Sequence, residues 1–329
     1  MKKYAVMALK IGISVGLYAY ILSKVNIAHL WETAKHAQAS YFVAALAGYF
    51  LIQALSAYRW YVLLAPLGLR VSFWRILAVY FLGMYSSLFL PSTIGGDVLR
   101  IYYLHKDARN LSGAAATVFL DRDMGLAALL AMAIVASVAA GTTFKGVPLW
   151  PIFGFITIGF TAINLALFYR PTYNLLHQLM KLLRLKKVDE KIERMFVSVS
   201  SYRRHPGAMV KAALISVPIQ LGGVFINALA GASIGLTTRH GFVDYLVFIP
   251  AISLIMMNPI SVNGMGWREE AYIVLFMSAG ASYDQSTVLS LLWLAVVVLS
   301  SLPGGLVYFL EGIGKKAAPS EAIEESVVS

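Results

Sequence analysis

Six stretches of the chain stay apolar for about the length of a membrane crossing: 4–22, 41–64, 112–140, 150–169, 207–235 and 286–310. A helix rises about 1.5 Å per residue, so about twenty apolar residues cross a hydrocarbon core of about 30 Å. Each stretch therefore predicts a transmembrane helix. None shows the alternating strands of roughly ten residues that a membrane β-barrel needs. Two further apolar stretches are broken. Residues 74–108 are interrupted at Pro91 and at Gly95-Gly96, and residues 244–280 at Pro259, Gly264 and Gly266. The run "ILAVYFLGMYSSLFL" before Pro91 would make a helix of about 22 Å, short of a comfortable crossing.

Composition agrees with this pattern. The chain is 59% hydrophobic and 13% charged, with mean hydropathy +0.72. A soluble domain carries about a quarter charged residues. The expected fold class is thus an all-α polytopic membrane protein, with about six full transmembrane helices and two re-entrant helical hairpins. The net charge of +11 does not argue for nucleic acid, because the basic residues cluster between apolar segments, where they set topology. There are no cysteines, which excludes disulfides, thiolate metal sites and cysteine nucleophiles. The first apolar run resembles a signal peptide. Its candidate cleavage site, "AQA" at 37–39, lies too far beyond that run, so a retained helix is expected.

Loop charge sets the expected path. Residues 170–206 carry nine Lys and Arg against Asp189, Glu190 and Glu193, which places them in the cytoplasm. Lys2, Lys3, Arg70, Arg75, Lys315 and Lys316 also belong inside, as do Arg100, Lys106 and Arg109. All of these fit if 74–108 enters from the cytoplasm and returns, and 244–280 enters from the outside. Each half then reads span, span, hairpin, span, in opposite orientation, which is an inverted-topology repeat. One membrane domain over 1–312 is expected, with half-repeats of about 1–140 and 150–312 and a short cytoplasmic tail, 313–329. Irregular backbone at membrane depth needs protein or water around it, so the two hairpins imply a shared polar interior.

Three motifs bring charge into that interior. In "PSTIGGDVLR", Asp97 and Arg100 follow Gly95-Gly96 and share a helix face at three-residue spacing. Glycine admits close backbone approach, and free N–H groups at a helix start favour an anion. A capping aspartate and a snorkelling arginine explain the same residues equally well. In "FLDRDMG", Asp121, Arg122 and Asp123 lie about 14 Å into a span. Charge at that depth is costly and usually faces the bundle and pairs. The competing reading starts the span later and leaves the three at the interface. In "NGMGWREE", Gly264 and Gly266 precede Arg268, Glu269 and Glu270. An arginine at a helix start opposes the dipole, which suggests an acidic partner or an anionic ligand; the alternative is an outer turn with a Trp-Arg anchor.

The basic run "KLLRLKKVDEKIERM" reads as topology-setting charge, with anionic-lipid contact as its alternative. The six histidines have no metal-ligand spacing, and no Walker A, HExxH or GxSxG motif is present. No metal, cofactor or catalytic residue is expected.

The stretches "PSTIGGDVLRIYYL", "GAAATVFLDRDMGLAALL" and "PISVNGMGWREEAYIVLF", in this order, resemble the flippase-like family typified by the transmembrane domain of lysylphosphatidylglycerol synthase. The resemblance covers about residues 10–312. It implies a polytopic protein that moves a lipid with a polar headgroup between leaflets. The matching residues are Gly96, Asp97 and Arg100, then Arg122, then Gly264, Gly266, Arg268 and Glu269. Many relatives carry adjacent glycines where Asn263-Gly264-Met265-Gly266 stands here. The soluble aminoacyl-transferase domain of the synthase has no counterpart in this sequence, so lipid movement is expected rather than lysyl-lipid synthesis.

The resulting expectation is a lipid flippase or transporter in the cell membrane, both termini cytoplasmic. Its cargo would be an aminoacyl-phospholipid or a polyprenyl-linked glycolipid. Gly96, Asp97, Arg100, Asp121, Arg122, Gly264, Gly266, Arg268 and Glu269 would line the substrate site. Arg100, Arg122 and Arg268 would contact phosphate, and Asp97 and Glu269 would orient them. Asp97 and Arg100 would face Arg268 and Glu269 across a cavity. The rival is an intramembrane transferase acting on a polyprenyl-phosphate sugar or a phospholipid, with Asp97 or Asp121 as base or metal ligand. A membrane scaffold is a third reading. The expected partners are membrane lipids and no nucleic acid; homo-oligomerisation stays open.

Overall fold

A computed structural model describes residues 35, 37–89, 95–141, 143–144, 146–182, 193, 196–197, 199–257 and 266–313. The expected first span at 4–22, the breaks around Pro91 and Pro259, the run 183–192 and the tail lie outside these residues. So does Gly264.

The described chain is helical apart from one two-stranded ribbon, in which Thr143–Phe144 pairs antiparallel with Val147–Pro148. In order, the helices are α1 (Ala39–Val62), α2 (Phe73–Ser87), α3 (Gly95–Ala108), α4 (Leu111–Ala140), α5 (Trp150–Phe168), α6 (Arg170–Leu182), α7 (Pro206–Ser233), α8 (Phe242–Met256), α9 (Trp267–Ser278) and α10 (Tyr283–Ile313). Short 3-10 turns at Ala65–Leu67 and Ser201–Arg204 follow α1 and precede α7.

Five helices among the described residues are long and apolar enough to cross a membrane: α1, α4, α5, α7 and α10. Their bounds fall within a few residues of the expected spans. The ends follow local chemistry. Asn110 caps α4 by accepting from the Gly113 N–H at 2.8 Å, and Gly141 ends it in the left-handed conformation. Ser72 caps α2. Pro151 and Pro206 occupy helix starts, where a missing N–H costs nothing.

The broken stretches fold as two short helix pairs, α2–α3 and α8–α9, each with its arms packed together. None of the four reaches the length of a crossing. The first pair meets closely because side chains are missing at its contacts. A Cβ on Gly96 would overlap the Gly83 carbonyl and the Ser87 hydroxyl, and one on Gly304 of α10 would overlap the Phe81 carbonyl of α2. Small residues at such crossings gain dispersion contact in lipid, where the hydrophobic effect supplies little drive between helices.

The long helices surround these pairs. α1 lies along α7; α2 packs on α10 and α8 on α4; α3 packs on α4 and α9 on α10. Phe276 of α9, fully buried, meets Tyr245 and Phe248 of α8 edge-on at 4.9 and 5.4 Å. The first pair seats on a second core of Trp60, Ile76, Val79, Leu104 and Val118.

Candidate functional site

Successive residues on a helix point about 100° apart, so "DRD" at 121–123 sends its three side chains in three directions. Asp121 turns towards α1 and α3, and is 1% exposed. Its Oδ2 accepts from Arg100 Nη2 at 2.7 Å, and its Oδ1 accepts from Arg59 Nε at 2.8 Å. Arg122 turns towards Asp97 at the start of α3, donating from Nε to Oδ2 at 2.8 Å and from Nη2 to Oδ1 at 3.1 Å. Asp123 turns towards α5, where Asn164 Nδ2 donates to its Oδ1 at 2.9 Å.

Arg100 also donates from Nη1 to Asp97 Oδ1 at 3.2 Å. The result is an alternating ladder: Arg59, Asp121, Arg100, Asp97, Arg122. Three arginines face two aspartates, so the ladder carries one net positive charge. Four of its members are buried. At the far end, the Arg122 side chain is 59% exposed.

The ladder is built into the helix packing. The Arg100 guanidinium lies 4.2 Å from the centre of the Trp60 ring and 4.6 Å from that of Tyr80, so two aromatic faces help to compensate its burial. Gly83 leaves room for its stem, since a Cβ there would lie 2.9 Å from Arg100 Cγ. Arg59 Nη1 donates to Ser216 of α7 at 2.9 Å, and Gly125 leaves room for that guanidinium.

Arg122 is the exposed end of the ladder. Tyr49 of α1 and Tyr80 of α2 stand within electrostatic range of its guanidinium. The same two tyrosines line a cavity of about 210 Å³, with Gln53, Ser56, Arg59 and Gln220 among the polar groups on its wall. Leu129, Ile219 and Trp293 add an apolar side to that wall. A mixed polar and apolar cavity with a cation near its tyrosines suits an anion attached to an apolar body.

The second motif is built around Glu269. Gly266 has φ +83°, a conformation that only glycine adopts easily, and its N–H donates to Glu269 Oε2 at 2.7 Å. Arg268 Nε donates to Glu269 Oε1 at 2.9 Å, and Nη2 makes a second contact to the same oxygen. Both side chains are buried. The acidic partner expected for Arg268 is thus its own sequence neighbour.

The structure brings Gly96, Asp97, Arg100, Asp121 and Arg122 into one group. Gly266, Arg268 and Glu269 form another. Asp97 and Arg100 find their ionic partners on α3 and α4, while Arg268 finds Glu269. The groups connect through tyrosines: Tyr272 interacts electrostatically with Arg268, Glu269 and Tyr49, and its hydroxyl donates to Asn227 Oδ1 at 2.5 Å.

Arg59 was not among the residues picked out from the sequence. Its signal was present: an arginine inside the apolar run 41–64 must find an acidic partner or leave the membrane core. Which partner it finds depends on how α1 crosses α4.

Comparison with known families gives one result that bears on these residues. The model of the family described as the lysylphosphatidylglycerol synthase TM region matches residues 7–305, a range that includes both groups. No curated protein and no solved structure gives a significant match.

Proposed function

The chain belongs to the lysylphosphatidylglycerol synthase TM region family, and on that premise we propose that it moves a lipid with a phosphate-containing headgroup between the leaflets of the cell membrane. An integral membrane protein of this family has a lipid-related role; the transport step is our reading. The observation that carries it is the half-exposed Arg122 guanidinium, well inside a membrane-length helix and near two tyrosines that line an interior cavity. A cation held there at the end of a positively charged ladder has a use if an anion visits it.

In this reading phosphate oxygens bind Arg122, and Arg100 supports them from behind. Arginine suits the task because its planar fork matches two phosphate oxygens at once. Asp97 holds Arg122 when no headgroup is bound and yields it when one arrives. The apolar chains stay in lipid while the headgroup crosses the cavity.

The packing supports a two-fold repeat beneath this mechanism. Exchanging α1 with α7, α2 with α8, α3 with α9 and α4 with α10 turns the packed pairs α2–α10, α3–α4 and α1–α2 into α8–α4, α9–α10 and α7–α8. Both termini would be cytoplasmic, and α2–α3 and α8–α9 would be hairpins entering from opposite sides. Alternating access would follow if the two hairpins exchange arrangements.

The test uses purified protein in vesicles containing a fluorescent phosphatidylglycerol, with movement read as protection from a membrane-impermeant quencher. The wild-type protein should equilibrate the probe between leaflets. Arg122→Gln should slow this at least tenfold. Equal rates in the two proteins overturn the reading, and conversion of a lipid-linked sugar donor by the purified protein would establish the transferase instead.

A further inference from the structure

Asp123 is the one member of the "DRD" run that the ladder does not use. It lies about 18 Å along a helix of about 45 Å, deep in the span. The residue is 6% exposed. Its Oδ1 accepts from Asn164, and its Oδ2 is buried with no hydrogen-bond partner among the described residues.

Among the described residues, the cations on the elements packed against α4 are held elsewhere. On the elements packed against α4, Arg59 and Arg100 bind Asp121, and Asp97 binds Arg122. On α7, Lys211 lies over the Tyr58 ring, and Gln220 donates to the Gly125 carbonyl at 2.8 Å. On α8, Asp244 pairs with His240, and Tyr245 stands against Phe276. Beside α4, Tyr202 donates to the Leu63 carbonyl. On α5, Asn164 is the group that meets Asp123.

An ionised carboxylate in this setting would hold a full charge in the membrane interior with one neutral amide to support it. Charge there is costly, and a group that can shed its charge does so. A protonated carboxyl fits the surroundings: Oδ1 accepts from the amide, and Oδ2 carries the proton. The preceding residue in sequence, Arg122, holds the proposed headgroup contact on the same helical turn.

We propose that Asp123 is a proton-binding site, neutral at rest, whose protonation is linked to lipid movement. The step is COO⁻ plus H⁺ giving COOH, with the proton taken from one aqueous side and released to the other as α4 changes its surroundings. The link to transport rests on the lipid-moving function proposed above; the proton site itself does not.

Two measurements on the full chain in vesicles separate these claims. Infrared difference spectra across a pH titration should show a protonated-carboxyl stretch that is missing in Asp123→Asn, a near-isostere of the neutral form. Asn164→Leu, which removes the donor that supports the carboxylate, should move the midpoint of that band to higher pH. In the fluorescent phosphatidylglycerol assay, an imposed pH gradient should change the wild-type rate severalfold. Asp123→Asn should still move lipid but ignore the gradient. A carboxyl band unchanged in Asp123→Asn overturns the proton site, and a gradient response retained in that variant overturns the link. If neither protein moves lipid, the lipid reading fails, and the infrared result still decides the site.

Discussion

Arg122 and Asp97 meet through two hydrogen bonds, 2.8 Å from Nε to Oδ2 and 3.1 Å from Nη2 to Oδ1. This fork matches the geometry by which arginine holds a phosphate, so under the proposed function Asp97 would compete with the headgroup for Arg122. Asp97 also binds Arg100, and its neighbour on the ladder, Asp121, has no exposed edge. Under the proposed function, the exchangeable anion of the ladder would therefore be Asp97.

Removing that competitor has a defined consequence. Asp97→Asn should bind anionic lipid about tenfold more tightly, a change of about 1.4 kcal/mol, and should move it more slowly, because release becomes the harder step. Native mass spectrometry against phosphatidylglycerol and the vesicle assay would measure the two effects. Weaker binding in the variant would show that Asp97 supports the headgroup rather than competing with it.

Asp121 should behave differently. It joins Arg59 and Arg100 inside the protein, and removing one member of a buried ion pair costs about 3–5 kcal/mol. Asp121→Ala should lower the melting temperature in detergent far more than Asp97→Asn does. Pairing it with Arg59→Met, which removes one of the stranded cations, should recover part of the loss.

The same logic separates the arginines. Arg268 is buried against Glu269, so Arg268→Gln should destabilise the protein by about 3–5 kcal/mol, whatever it does to transport. Arg122→Gln, at an exposed position, should leave the melting temperature nearly unchanged while slowing lipid movement. Thermal unfolding followed by tryptophan fluorescence would distinguish them.

Gly96→Ala tests the contact between the arms of the first helix pair. The added methyl would meet the Gly83 carbonyl and the Ser87 hydroxyl, and overpacking of this kind costs about 1–3 kcal/mol. Because α3 carries both Asp97 and Arg100, the variant should lose transport along with stability. A variant with wild-type melting and transport would mean that the arms can separate freely.

Tyr202 offers a pH test outside the spans. Its hydroxyl donates to the Leu63 carbonyl, and burial pushes the phenol well above its ordinary range. The folded state keeps the proton that the unfolded chain gives up near pH 10. The contribution of Tyr202 is therefore complete below about pH 10 and is lost only above it. Tyr202→Phe should cost about 1 kcal/mol, equally at pH 6 and pH 9, in denaturation measured at both.

Much of the fold was legible along the chain. Apolar runs of crossing length give helices wherever backbone groups must bond within their own segment, so the spans from 41 to 310 could be placed to within a few residues. Proline and glycine marked both helix pairs for the same reason: they break the hydrogen-bond ladder locally. Interior charge was suggested at Asp121 and Arg122 by their depth in an apolar run, whereas for Asp97 and Arg100 a cap and a snorkelling arginine fitted the sequence equally well.

The partners of those charges belong to the tertiary structure. Three adjacent residues, Asp121 to Asp123, face three ways on one helix, and only the positions of α1, α3 and α5 decide what each one meets. Arg59 enters the ladder because α1 passes α4 beside Gly125, a contact between residues far apart in sequence. Arg268, which by sequence calls for an acidic partner or an anionic ligand, is buried against Glu269. Composition and periodicity act through the local backbone and the membrane around it, so the sequence alone determines the helices and their charge. Ion pairing acts across a few ångströms of space, so which charge stays open to a ligand is decided only when the helices pack.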